Sequence, residues 1–303
     1  MKKRIGRSMM AIAAVAVVLS LASVPAAAQT SAAKPAGWNP PRTPDGQPDM
    51  QGIWAPAAAN AAHSLEEGAE PENRRIQGNS EEQIARELAT QPKVIVEPAD
   101  GILPYRSDAL AKRKEHLENL FTPTKWEHLE PEDRCLLEGV PRSNYRFTLQ
   151  ISQVPGYVVM VFEWNHAYRI IPIDGRPHLG ENIKLWNGDS RGHWDGNTLV
   201  VDTTNQNDQT WFDVHGSYHS DALHVVERFT FANADTINYE ATMEDPSVFT
   251  RPWKIAFPVT RNTQKGYELL EEACHEGEHN IERMLAVGRA LKAAGVKGIH
   301  SHK

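Results

Sequence analysis

Side chains that could transfer protons are most concentrated in the segment from His215 to Arg228. Strand alternation places Glu227 on the same face as Val225 and Phe229. Burial on such an apolar face raises the pKa of a carboxyl group, and a general acid or base near neutral pH needs that shift. His219 precedes the strand, where the mouth of a barrel would hold a ligand. Two alternatives stay open: Glu227 pairs with an internal arginine that holds the fold, and His219 is a solvent-facing loop residue.

A second group of polar side chains lies on a predicted hairpin and the turn after it. Glu163 shares a strand face with valines, which places another carboxylate beside apolar residues. In the functional interpretation, Arg169 or Arg176 binds an anionic or carbonyl oxygen while His178 transfers a proton. In the alternative interpretation, Asp174 and Arg176 form only an ion pair within a tight turn.

The elements that must position these side chains are short apolar runs between residues 145 and 272. The runs are rich in Val, Ile, Tyr, Phe and Trp and are separated by Gly, Asp, Asn or Pro. With no helical pattern between them, they predict a mainly β fold, an antiparallel meander that closes into a barrel of about eight strands. The predicted strands lie near 146–152, 156–163, 167–173, 183–187, 197–204, 222–232, 235–244, 253–260 and 266–273.

A closed barrel of about eight strands has room for one small ligand. Trp164 and Trp253 fall in or beside predicted strands, where they would suit an apolar or aromatic molecule. The alternative is that these aromatic side chains belong to the core, which large aromatics dominate.

Helical patterns flank the strand-rich region. Leucines at helical spacing predict a helix over 107–121, inside a helical and loop insertion that spans 55–134. A C-terminal helix is predicted over 280–295. We therefore expect a single barrel domain over 49–303, preceded by a flexible lead-in over 29–48.

The N-terminus has the three zones of a cleavable secretory signal peptide, residues 1–28. A basic start precedes an apolar run, and small residues end at Ala28. The run is short for a membrane span, which needs about 20 residues. We therefore expect cleavage near Ala28, no transmembrane segment in the mature chain, and a periplasmic or secreted protein.

Export changes the charge of the chain. Residues 1–28 carry four basic and no acidic side chains, so their removal takes the formal net charge from −7 to −11. Such an acidic protein repels phosphate backbones, which argues against nucleic acid as a partner. A small-molecule substrate or ligand is the expected partner.

An oxidising compartment also makes a disulfide between Cys135 and Cys274 the default prediction. His275, Glu276 and His279 follow directly, with helix-compatible spacing and side chains that zinc accepts. Because they lie beside the expected disulfide, we predict no metal site there, and a metal site formed by these three residues stays open as the alternative. Motifs for nucleotides, serine nucleophiles and zinc proteases are absent from the sequence, so no cofactor is expected.

Segments across the mature chain resemble a large group of exported, uncharacterised bacterial proteins. The resemblance implies export and no particular activity. Gly52-Ile53-Trp54 is also similar to the Gly-x-Trp of lipocalin-like (calycin) barrels, which implies a meander that closes around a ligand. The segments that resemble the exported group are TPDGQPDMQGIW (43–54), CLLEGVPR (135–142), YRIIPIDGRPH (168–178), WNGDSRGHWDGNTLVVDTTN (186–205), HSDALHVVERF (219–229), EDPSVFTRPW (244–253) and EACHEG (272–277).

Together these features predict a periplasmic, cofactor-independent enzyme of the lyase or isomerase type, acting by acid–base chemistry on a small, partly apolar or aromatic molecule. Two alternatives stay open: a non-catalytic carrier of the same kind of ligand, and a surface-interaction protein that uses the insertion. In the enzyme, the predicted catalytic residues are Glu227, Glu163, His219 and His178. The predicted substrate-binding residues are Arg169, Asp174, Arg176, Trp164 and Trp253.

Overall fold

Ten antiparallel strands dominate the computed structural model. The structure describes residues 38–62, 64–66, 93–275 and 278–296. The expected signal peptide and much of the lead-in lie outside these residues, as does part of the insertion. The strands are β1 Gly52–Pro56, β2 Ile95–Glu97, β3 Leu149–Val154, β4 Tyr157–Phe162, β5 Tyr168–Pro172, β6 Asp189–Asp195, β7 Thr198–Thr204, β8 His224–Asn233, β9 Thr236–Glu244 and β10 Trp253–Arg261.

The strands form one sheet that nearly closes into a barrel, which confirms the predicted fold class. Its order is β5-β4-β3-β1-β10-β9-β8-β7-β6, and the short β2 pairs with β10. Two meanders, β3–β5 and β6–β10, are therefore joined by β1, which pairs with β3 on one side and β10 on the other. At the open seam, β5 and β6 lie side by side without a hydrogen-bonded ladder.

Tight turns join neighbouring strands where the sequence predicts them. Gly156 and Gly196 have positive φ angles of 83° and 61° in the β3–β4 and β6–β7 turns, a region that glycine enters without strain. The predicted strands at 183–187 and 266–273 are wrong: each contributes only an isolated bridge. Strand β6 was not predicted because its sequence, DSRGHWD, is polar and carries no apolar alternation.

The strands bury alternate residues, and large side chains fill the inside of the barrel. In β8, Val225, Glu227 and Phe229 are all buried, as the alternation predicts. The fully buried side chains also include the large residues Trp54, Met160, Tyr239 and Trp253.

Three helices accompany the sheet: α1 Ser107–Asn119, α2 Ser143–Arg146 and α3 Asn280–Ala293. The first and third confirm the predicted helices to within two residues. Helix α1 buries Ala109, His116 and Asn119. The His116 ring stacks on Trp211, with the two ring centroids 4.3 Å apart. Leu110, one of the leucines behind the predicted apolar face, is exposed.

The expected disulfide is present between Cys135 and Cys274, whose sequence separation is 139. It ties the end of the insertion to the segment before α3. Within the ranges that the structure describes, no helix is long and apolar enough to cross a membrane.

Candidate functional site

Glu227 lies inside the barrel at the centre of a network of hydrogen bonds. Its carboxylate accepts from Arg169 at 2.5 and 3.2 Å. It also accepts from the Tyr239 hydroxyl at 2.8 Å and from the Asn144 side-chain amide at 2.5 Å. Glu227 is fully buried, so these donors replace the water that the carboxylate loses on folding.

Arg169 carries this network from β5 across the seam. Besides its bonds to Glu227, its Nη2 donates to Ser190 Oγ on β6 at 3.0 Å and to Thr203 Oγ1 on β7 at 3.3 Å. The two hydroxyls lie 2.9 Å apart. We call these four residues, Arg169, Ser190, Thr203 and Glu227, the inner network. This geometry agrees with the second interpretation of Glu227 in the sequence analysis, in which it pairs with an internal arginine.

A second network lies on the outer face of the same strands. His178, in the loop after β5, places Nδ1 3.0 Å from Asp189 Oδ2 and Nε2 3.0 Å from Asp202 Oδ1. The other oxygen of Asp202 lies 2.9 Å from His224 Nε2. We call this chain of Asp189, His178, Asp202 and His224 the outer relay.

The outer relay fixes which atoms carry protons. Carboxylates only accept, so both contacts of His178 are hydrogen bonds when both of its ring nitrogens are protonated. His224 Nε2 donates to Asp202 in the same way. In the neutral ring, this leaves the lone pair on Nδ1 of His224, an atom that makes no hydrogen bond to the described residues.

The hydrogen bond between Asp202 and His224 shifts the pKa values of these two groups in opposite directions. The hydrogen bond to Asp202 raises the pKa of His224 above its usual 6.5. The same hydrogen bond lowers the pKa of Asp202, which therefore stays ionised. The His178, Asp202 and His224 side chains are 28%, 39% and 37% exposed, so a molecule in solution can reach them.

Asp189 orients the relay from one end. Its Oδ2 also accepts the backbone N–H of Leu179 at 2.9 Å, and its Oδ1 pairs with Arg191 at 2.5 Å. A nearly buried carboxylate with these donors is held in one orientation, and it in turn fixes the ring of His178.

Strand alternation produces both networks from the same stretches of sequence. Asp189 and Ser190 are consecutive, and so are Asp202 and Thr203. In each pair the first side chain joins the outer relay and the second joins the inner network. Segments 168–178, 186–205 and 219–229 contribute every member of both networks.

The remaining predicted catalytic residues lie elsewhere. His219 is buried, with Nε2 2.7 Å from the Thr210 hydroxyl and Nδ1 2.8 Å from the carbonyl of Ser220. Burial lowers the pKa of His219. It is therefore not the solvent-facing residue of the alternative interpretation.

Glu163 follows β4 and is only partly buried. It accepts from the Tyr267 hydroxyl at 2.5 Å and from the backbone of Leu270. Glu163, His219 and Glu227 share no hydrogen-bond partner within the described part of the chain.

The predicted substrate-binding residues have structural contacts. Asp174 and Arg176 form an exposed ion pair, and Arg176 also donates to the Tyr157 hydroxyl at 2.8 Å. Trp164 stacks on Phe147 at 5.3 Å and donates to the carbonyl of Leu136. Trp253 is buried against Phe212 and Phe249.

The segment after the disulfide is only partly described. His275 and His279 are exposed, and Glu276 lies outside the described residues. Among described residues, a compact group of metal-ligating atoms occurs at Cys135, Cys274 and Glu278. Its two sulfurs are joined to each other, so they offer no thiolate to a metal.

Sequence reasoning named His178 as a candidate and missed three members of the outer relay, Asp189, Asp202 and His224. One signal was available for Asp202, a charge inside the apolar run TLVVDTT of β7. The contacts of His178 with Asp189 and Asp202 span only 11 and 24 residues along the chain, but they depend on how the loop folds back over the sheet.

The fold and the two networks define an antiparallel β-barrel with a histidine–aspartate relay on its outer face. No family model, no curated protein and no solved structure matches the chain.

Proposed function

We propose that the protein is an exported, cofactor-independent enzyme that performs acid–base chemistry on a small molecule at the outer relay. The chemistry is isomerisation, dehydration or another elimination, as the sequence predicts. The observation that carries the proposal is the contact between His224 Nε2 and Asp202. A carboxylate behind an imidazole fixes its tautomer and stabilises the imidazolium that forms when the ring takes a proton.

In the proposed reaction His224 is the base. Its Nδ1 takes a proton from a carbon of the substrate, so a C–H bond breaks and an N–H bond forms. In an isomerisation the proton returns to a different atom of the substrate. In an elimination the electron pair of the C–H bond forms a double bond, and the leaving group takes a proton from water as it departs.

Several features support placing the chemistry outside the barrel. The interior is filled by large buried side chains, and Glu227 is engaged by three donors. The outer relay is partly exposed, and the hydrogen bond to Asp202 raises the pKa of His224, which makes its imidazole a stronger base. In this proposal Glu227 fixes the position of Arg169 and does not contact the substrate.

The proposal includes the setting in which the enzyme acts. The three-zone N-terminus and the resemblance to exported bacterial proteins support a periplasmic or secreted location. The disulfide fits an oxidising compartment. We also propose that the barrel is similar in fold to lipocalin-like barrels, on the basis of Gly52-Ile53-Trp54.

Solvent deuterium exchange tests the proposal without knowledge of the product. The mature protein is incubated in D₂O with a panel of small ketones, 2- and 3-hydroxy acids and sugar acids, and loss of C–H signals is followed by NMR. We expect exchange with at least one compound, and its loss in His224→Gln. The matched control is His193→Gln, at an exposed histidine of β6 outside the relay.

The experiment also separates the enzyme from its rival, the non-catalytic carrier. Stoichiometric binding of a panel compound without exchange would identify a carrier. Absence of exchange throughout the panel, or full exchange in His224→Gln, would overturn the proposed chemistry.

A further inference from the structure

The seam between β5 and β6 is where the barrel lacks a backbone ladder. Side chains bridge it instead. Arg169 on β5 reaches Ser190 on β6 at 3.0 Å. Ile171 lies over Gly192, where an added Cβ would stand 2.9 Å from its Cγ2 atom. The two strands therefore approach closely only because position 192 has no side chain.

Arg169 is the polar bridge of this seam, and Glu227 fixes it. A guanidinium buried in a barrel needs a paired anion and several acceptors. Glu227 supplies the anion from β8, while Ser190 and Thr203 supply neutral acceptors from β6 and β7. The planar fork of arginine reaches all of these groups at once, which a single ammonium cannot do.

The bridge lies directly beneath the outer relay. His178 belongs to the loop that leaves β5, whereas Asp189 and Asp202 belong to β6 and β7. The loop crosses from β5 to lie over β6 and β7, where both aspartates contact His178. The two hydroxyls bound by Arg169 belong to the residues that follow these aspartates in the chain.

We infer that Arg169 and Glu227 are positioning residues, which close the seam and thereby hold His178 between Asp189 and Asp202. Only the effect of this positioning on turnover rests on the proposed function; the positioning of His178 itself does not. A pair that merely stabilised the barrel would be replaceable by apolar side chains without effect on His178, since a buried ion pair exchanged for apolar residues often leaves stability unchanged.

The test measures the hydrogen bonds of His178 directly. At a pH at which both ring nitrogens carry protons, these protons are protected from exchange with water only while both aspartates accept them, and NMR of ¹⁵N-labelled protein gives their exchange rates. In the double variant Arg169→Met/Glu227→Met we expect exchange faster by about tenfold, the factor that losing one hydrogen bond of ordinary strength gives. Ser190→Ala/Thr203→Val should act in the same direction while keeping the ion pair.

Two further variants keep the test decisive. Arg169→Lys retains the charge next to Glu227 but lacks the fork that reaches Ser190 and Thr203, so we expect it to speed the exchange at His178 as well. The control is Arg113→Met/Glu66→Met, which removes a 2.7 Å ion pair away from the seam and should leave the exchange of His178 unchanged.

Wild-type exchange at His178 in all the seam variants would overturn the inference, and equally fast exchange in the Arg113/Glu66 control would reduce it to a general loss of stability. The exchange rates of the seam variants and of the control are both measured without enzymatic turnover. The positioning role can therefore fail while His224 remains the base, and it can stand if the deuterium-exchange panel finds no reaction.

Discussion

Asp202 and Thr203 are consecutive residues of β7, and their side chains enter two different polar networks on opposite faces of the sheet. The carboxylate of Asp202 lies 3.0 Å from His178 and 2.9 Å from His224 on the outer face. The hydroxyl of Thr203 accepts from Arg169 on the inner face. One strand thus connects the partly exposed candidate site with the buried pair that closes the barrel.

The contact between Asp202 and His224 makes a prediction about titration. Asp202→Asn removes the largest cause of the raised pKa of His224, so that pKa should fall towards 6.5. A raised folded-state pKa stabilises the fold below the unfolded value of 6.5, and this contribution disappears as the pH rises through the folded value. NMR titration of the imidazole signals measures the change.

The control for this titration is Glu244→Gln, because Glu244 is a smaller cause of the same shift. It should lower the pKa of His224 less than Asp202→Asn does. A larger effect from Glu244→Gln would contradict the assignment of Asp202 as the principal partner.

The Arg169–Glu227 pair makes a prediction about stability. Glu227→Ala leaves a buried guanidinium without its anion and should lower the free energy of unfolding by about 3–5 kcal/mol. Arg169→Met should cost a similar amount. The double variant Arg169→Met/Glu227→Met should cost much less than both single changes together, as urea unfolding of the four proteins would show. Additive losses would mean that the two side chains act independently.

The disulfide closes a loop with a sequence separation of 139. In the chain-entropy view, Cys135→Ala/Cys274→Ala should therefore lower the free energy of unfolding by about 5 kcal/mol. Denaturant unfolding with and without a reductant measures the loss. The reductant should destabilise the wild type and leave the double variant unaffected, and equal sensitivity of the two proteins would contradict the prediction.

Buried His116 should make the protein sensitive to acid. Burial lowers its pKa to about 4, so between pH 6.5 and 4 the unfolded chain binds a proton that the folded chain does not. Stability should fall by about 3 kcal/mol over this range from His116 alone. His116→Phe retains the stack on Trp211 and should remove that loss.

The measurement for His116 is the free energy of unfolding against pH. His193→Phe is the matched control, because His193 is exposed on β6 and the same substitution there should leave the acid limb in place. If His116→Phe lost as much unfolding free energy between pH 6.5 and 4 as the wild type, other groups would be the cause of the acid sensitivity.

Glu138 should act in the opposite pH direction. Burial raises its pKa to about 8 despite the nearby Arg142 guanidinium. Above pH 4.5 the unfolded carboxyl group ionises while the folded one stays protonated, so this group reduces stability as the pH rises towards 8. Glu138→Gln should therefore gain stability relative to the wild type as the pH rises from 5 to 8. Thermal unfolding across that range tests this, and a constant difference would contradict it.

Local patterns in the sequence were sufficient to predict the class of fold. Alternation in β8 correctly places Val225, Glu227 and Phe229 inside, because a strand exposes successive side chains to opposite faces whatever surrounds it. Helical spacing predicts α1 and α3, and the pairing of the two cysteines follows from their number and the expected compartment. The same alternation cannot identify a strand such as β6, whose seven residues include only one large apolar side chain, that of Trp194.

Only the tertiary structure decided what these residues touch. The sequence places Glu227 on an apolar strand face and Arg169 in the predicted strand 167–173, but their separation of 58 residues leaves open whether they meet, and closure of the sheet brings them together. The outer relay depends in addition on the conformation of the loop after β5, which runs back over β6 and β7. Periodicity specifies the face on which a side chain lies, because it is a property of one strand, whereas a site built from several strands depends on their order and register.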